Sequence, residues 1–259
     1  MGTIALGAAI ALPSLPVGPA AAAPAGLALL RVAHLSPGAP ALQVRVDGRT
    51  ATAPVAFTKL SGYLRVPAGE HSVQLSGGQV NVTTRTNFAA GSAHTVAAMG
   101  IATKSLAKSF NDQLTAPAAG DGKVRVVHAA QGVPPADVVA QTGAVLFANV
   151  AFSQDPGYRA VPAGTYSVTM RRAGTSDILL AAKGIAVQAG TISSIWAVGS
   201  SGSALKLIRS NDAAGAGATP VGGMNTGFGG TAPGQPTPGQ PTPVWPGLLG
   251  GLAVMAAGG

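Results

Sequence analysis

The chain has 259 residues, of which 47% are hydrophobic, only 4% aromatic and 9% charged, against about 25% charged in an average soluble protein. The net charge is +8, but eight of the 16 basic residues lie up to Lys108 and eight from Lys123 onward, with no cluster larger than Arg171-Arg172. Without a concentrated basic face or stacking aromatics, nucleic acid is excluded as a partner. With no cysteine, disulfides, thiolate catalysis and sulfur-ligated metals are excluded too.

The N-terminal text has an apolar run from Ile4 to Leu12 and then Ala20-Ala21-Ala22-Ala23, which reads as the hydrophobic and cleavage regions of a secretory signal over residues 1–23. Pro13, Pro16 and Pro19 speak against a buried helix there. No Lys or Arg follows Met1, which leaves either an upstream start or a weak signal.

From Leu30 the chain begins a text that it later repeats. "LRVAHLSPGAP" (Leu30–Pro40) matches "VRVVHAAQGVP" (Val124–Pro134), and "GYLRVPAGEHSVQL" (Gly62–Leu75) matches "GYRAVPAGTYSVTM" (Gly157–Met170). Ala90–Gly100 matches Ala189–Gly199, and Asn111-Asp112 matches Asn211-Asp212. The offset grows from 94 (Leu30 to Val124) to 100 (Asn111 to Asn211), as insertions in loops would make it. So long a period means duplicated domains rather than a solenoid, over residues 27–116 and 120–212.

Within a unit the apolar period is two. Leu42, Val44 and Val46 share one face, Gln43, Arg45 and Asp47 the other, and Asp47-Gly48 supplies a tight turn. Val73 and Leu75 are predicted core. Six to eight short strands in about 90 residues, punctuated by Gly and Pro, predict an all-β protein of two tandem β-sandwiches, immunoglobulin-like or transthyretin-like. Pro67-Ala68-Gly69 and Pro162-Ala163-Gly164 each predict a sandwich corner. There Pro presets φ and both Gly69 and Gly164 supply a positive one. Tyr63 and Tyr158 precede these corners at equal distance, and each hydroxyl is expected on a loop backbone group.

After Asn211 the sequence becomes a Gly/Pro-rich linker or stalk over 213–246, ending in "PGQPTPGQPTPVWP", which is extended and polyproline-like. It is expected to stay out of any packed core. The apolar tail 247–259 is shorter than the roughly 20 residues a spanning helix needs. It reads as the front of a membrane anchor, or else as a disordered end.

The residues Arg31–His34 and Arg125–His128 (Arg-Val-x-His), the Gly-Tyr…Val-Pro-Ala-Gly stretches and the closing Ala-Gly…Gly strands together resemble domain-of-unknown-function family 4397, found in exported and surface proteins of bacteria. The resemblance covers roughly Leu30 to Asp212. It implies a β-sandwich domain, often in tandem, with no established activity. An Asp opens the second strand in that family: Asp137 fits, whereas the first unit has Gln43.

Catalytic chemistry is not legible. No Gly-x-Ser-x-Gly elbow, phosphate loop or His-x-His metal spacing occurs. No catalytic, cofactor-binding or metal-ligating residue is therefore assigned. His34 and His128 recur at strand ends and read as loop-pinning side chains, hydrogen-bonded to backbone. Asp112 and Asp212 read as turn residues at the domain ends. Asn81-Val82-Thr83 has glycosylation spacing and decides nothing. The functional expectation is a non-enzymatic, exported module, extracellular or on the cell surface, held to a membrane through its tail. It would display two sandwiches to a protein or cell-envelope polymer. The alternative is a secreted carbohydrate-active or other hydrolase, which would need carboxylates across a cleft from the eight acidic residues available.

Overall fold

The computed structural model describes residues 26–200, 205–214, 219–220 and 224–225. The expected signal segment, most of the stalk and the apolar tail lie outside the described residues. The first unit contains β1 (Leu27–Leu35), β2 (Leu42–Val46), β3 (Arg49–Val55), β4 (Leu64–Pro67), β5 (Gly69–Gly77), β6 (Val80–Phe88), β7 (Ala93–Met99), a 3-10 turn (Ala102–Lys104) and β8 (Leu106–Asp112). The second unit repeats the strands as β9 (Asp121–His128), β10 (Ala136–Ala140), β11 (Val145–Val150), β12 (Arg159–Pro162), β13 (Gly164–Arg172), β14 (Ile178–Val187), β15 (Thr191–Val198) and β16 (Lys206–Ala214).

The first unit is two four-stranded sheets, β4-β1-β7-β8 and β3-β2-β5-β6; the second has the four-stranded sheet β11-β10-β13-β14 and a six-stranded one in which β12-β9-β15-β16 is extended by two short strands. The first strand lies between the fourth and the seventh, parallel to the latter. An immunoglobulin sandwich instead places its first strand beside its second, so the order leaves the transthyretin-like alternative. Local chemistry explains the turns. Asp47 and Gly48 have φ of +51° and +78°, the pair of positive angles that matches hairpin twist.

The Pro-Ala-Gly stretches are sandwich corners: β4 belongs to one sheet and β5 to the other, as do β12 and β13. Only one corner is built as expected. Gly69 has φ +132°, but Gly164 is not in the positive region. The second corner therefore does not require its glycine.

The period of two holds in the inner sheets, but both faces are buried. Leu30, Val32, Val96 and Ala98 fill the first core together with Leu42, Val44, Val73 and Leu75. Val124, Val126, Ile195 and Ala197 enter the second. The opposite faces of the same strands meet each other: Ala33, Leu35, Ala97, Met99 and Phe110 pack with Val127, Ala129, Trp196, Val198 and Ile208 in one cluster. Phe110 and Trp196 meet edge to face at 5.4 Å, a favoured aromatic geometry. The two sandwiches are thus not independent bodies; they share a core between them.

A second departure concerns the start of the stalk. Ala213 and Ala214 complete β16, and the two-residue strands β17 (Thr219–Pro220) and β18 (Met224–Asn225) return antiparallel along its edge. An edge strand offers unpaired N–H and C=O groups as a template, and proline is tolerated at such an edge.

Candidate functional site

Arg31 on β1 and Arg125 on β9 point away from their own cores into the shared interface, and each is about 1% exposed or less. A guanidinium without partners there would be very costly. Arg31 donates to Thr95 Oγ1 (2.7 Å), to the Asn211 carbonyl (3.1 Å) and to the Asp212 carboxylate. Arg125 donates to Ser194 Oγ (2.6 Å), to the Asn111 carbonyl (2.9 Å) and to the Asp112 carboxylate, with Asp155 at 3.2 Å on its outer side. Each arginine therefore pairs with the aspartate that closes the other repeat. The arrangement is an internal two-fold, with equivalent residues exchanging equivalent contacts.

The carboxylates are fully used. Asp112 also accepts from Tyr63 Oη (2.7 Å) and Thr95 Oγ1 (2.6 Å), and Asp212 from Tyr158 Oη and Ser194 Oγ (both 2.6 Å). The Tyr63 ring lies 4.7 Å from the Arg31 guanidinium and the Tyr158 ring 4.7 Å from that of Arg125, within cation–π range. Burial by itself would raise the Asp112 pKa, but the charges of Arg31 and Arg125 and the Thr95 and Tyr63 hydrogen bonds hold it below the usual range. Burial, reinforced by the aspartate charges, raises both tyrosine hydroxyls. Burial opposes the charged form of both arginines, yet the neighbouring aspartates raise their pKa. Asp112 is thus held as an ionised carboxylate among neutral phenols and permanent cations. Such a cluster braces two domains.

Asp112 and Asp212 are thus buried strand residues, not turn residues. The hydroxyls of Tyr63 and Tyr158 reach carboxylates rather than loop backbone. Neither role is readable locally, although Arg, Tyr, a hydroxyl and Asp all recur at matched places in the two repeats.

The other singled-out residues sit apart from the brace. His34 Nε2 lies 3.0 Å from the Pro40 carbonyl, and its Nδ1 accepts from Ser36 N at 3.3 Å. His128 repeats this with Pro134 (3.2 Å) and Ala130 N (3.3 Å). A carbonyl can only accept and a backbone N–H can only donate, so both rings are neutral with the proton on Nε2. At the corners, His71 bridges Asp47 (2.6 Å) and the Pro67 carbonyl (2.9 Å), and Tyr166 Oη donates to the Pro162 carbonyl (2.6 Å). Asp137 accepts from Asn149 N and Gly174 N, 2.7 and 3.0 Å. Among the described residues no three His, Asp or Glu side chains converge as metal ligands would.

Comparison with known families gives two matches to the family described as "Domain of unknown function (DUF4397)", over residues 28–139 and 122–225. The chain belongs to this family. The first match runs beyond the linker into β9 and β10, the strands that repeat β1 and β2. No curated protein matches the chain.

Proposed function

We propose that the protein is an exported, non-enzymatic display module that holds two sandwiches in fixed relation for a protein or cell-envelope polymer to bind. The carrying observation is the crossed Arg31–Asp212 and Arg125–Asp112 brace. The ionisable residues clustered most closely are consumed in joining the repeats, which leaves the outer sheets as the available surfaces. Those faces are polar: Gln43 and Arg45 on β2 and Asn81, Thr83, Arg85 and Asn87 on β6 are exposed. The apolar Ile4–Leu12 run supports export, and the Pro-rich stalk, at about 3.1 Å per residue, supports presentation at a distance from an anchor. Attachment is assigned to the apolar tail 247–259 on its composition; among the described residues no helix is long and apolar enough to cross a membrane.

The test is to incubate the chain with labelled cell-envelope polymers and a surface-protein extract, measuring both retention and release of new chain ends. Saturable retention without release supports the module. Catalytic release of products would replace it with a hydrolase.

A further inference from the structure

The outer face of the second sandwich differs from that of the first. A shallow groove of about 490 Å³ runs beside the β10–β11 turn, lined by Gln141, Ser167, Thr169, Arg171 and Lys183 among others. Neither of its two cations forms an ion pair among the described residues. Asp137 is opposite Arg171 in the β10–β13 register, but its two oxygens are occupied by the Asn149 and Gly174 N–H groups. Asp177 lies 3.5 Å from the next residue, Arg172. Arg171 Nε is buried and has no acceptor. Arg171 also lines the groove beside Lys183. Ser76 stands at the corresponding place in the first repeat, so this guanidinium belongs to the second repeat.

We propose that this groove binds a linear polysaccharide bearing uronic-acid carboxylates. The inference rests on the display reading and names its ligand class. A planar guanidinium matches a carboxylate in a two-bond fork, and Lys183 supplies a second positive charge along the strand direction. Ser167, Thr169 and Gln141 each offer both donors and acceptors, which suits sugar hydroxyls. The groove is shallow and open to solvent, as a site for part of a long chain must be. A poly(glycerol phosphate) would satisfy the cations but carries a single hydroxyl per unit, fewer than a uronic acid, for the hydroxyl and amide partners to engage.

The test is affinity electrophoresis of the full chain in gels containing polygalacturonate, poly(glycerol phosphate) or neutral dextran. Retardation is expected in polygalacturonate, weakening with salt. Lys183→Gln and Arg171→Gln are each expected to weaken it about tenfold or more, the effect of one lost charge-assisted hydrogen bond. Arg65→Gln, exposed on edge strand β4 of the first repeat, should leave it unchanged. Lys183 is exposed, so its variant remains informative if Arg171→Gln folds poorly. Equal losses in all three variants, no loss in Lys183→Gln, or stronger retardation by poly(glycerol phosphate) would overturn the groove assignment. A chain that ignores polygalacturonate yet binds another envelope component refutes the groove and leaves the display module standing; a chain that binds none refutes both.

Discussion

Asp112 accepts from a guanidinium of the other repeat, a phenol and a threonine hydroxyl at once, so its charge matters more than its shape. Asp112→Asn would leave Arg125 buried with its main counter-charge gone. The expected loss is about 3–5 kcal/mol in urea unfolding, far more than for an exposed control such as Asp177→Asn. The histidines act with pH. Burial, which disfavours the charged ring, lowers the pKa of His34 and of His128 below the ordinary value, and a proton added at Nδ1 would also face the N–H of Ser36 or Ala130. The unfolded chain then binds more protons than the native one between the native pKa and about 6.5. This contribution is complete above about pH 6.5 and is lost as pH falls towards the native value. Melting temperature should therefore decline from pH 7 to pH 5, and His34→Asn combined with His128→Asn should make the decline shallower. An unchanged slope in the double variant would refute the neutral-ring assignment.

Among elements, the two corners share a sequence but not a backbone. Gly69 holds φ +132°, a region L side chains rarely adopt, whereas Gly164 does not and has open space around it apart from the Tyr166 ring at 3.8 Å. Gly69→Ala should cost about 1 kcal/mol or more and Gly164→Ala little, read as separate shifts in the denaturation midpoint. The cores also differ. The second sandwich retains a void of about 40 Å³ lined by Val124, Val187 and other apolar side chains. Leu30 and Phe88 occupy the equivalent places in the first repeat and are fully buried. Val124→Leu should fill part of that void and raise the thermal midpoint by a few degrees at most; a fall would mean that the site resists the added methylene.

At the scale of the molecule, the interface predicts joint behaviour of the two repeats. A protease site placed in the connecting segment 113–120 should, once cut, leave fragments that still elute together in native chromatography and unfold in one transition. Each fragment alone would expose half of the Phe110–Trp196 cluster and a guanidinium without the aspartate of the other repeat, keeping only the longer contacts Arg31–Asp112 (3.4 Å) and Arg125–Asp155 (3.2 Å). Fragments that separate without denaturant and melt at unrelated temperatures would show that the brace contributes little.

The sequence by itself determined the duplication, the strand character of each repeat, the Asp47-Gly48 hairpin and the existence of the corners. These rest on local causes: alternation of apolar side chains, and turns whose residues set their own dihedral angles. Only the tertiary structure decided which polar residues are buried. In β9 the face carrying Asp121, Lys123 and Arg125 reads as wet, and in β1 Arg31 is a lone charge among Leu29, Ala33 and Leu35. That face becomes interior when the other repeat covers it, and the partner that neutralises Arg31 lies 181 residues away. Likewise Asp212 reads as a turn residue until its strand is placed beside β15. Burial is a property of what packs against a face, and a carboxylate's role is set by the cation that reaches it. Neither is encoded at the position itself.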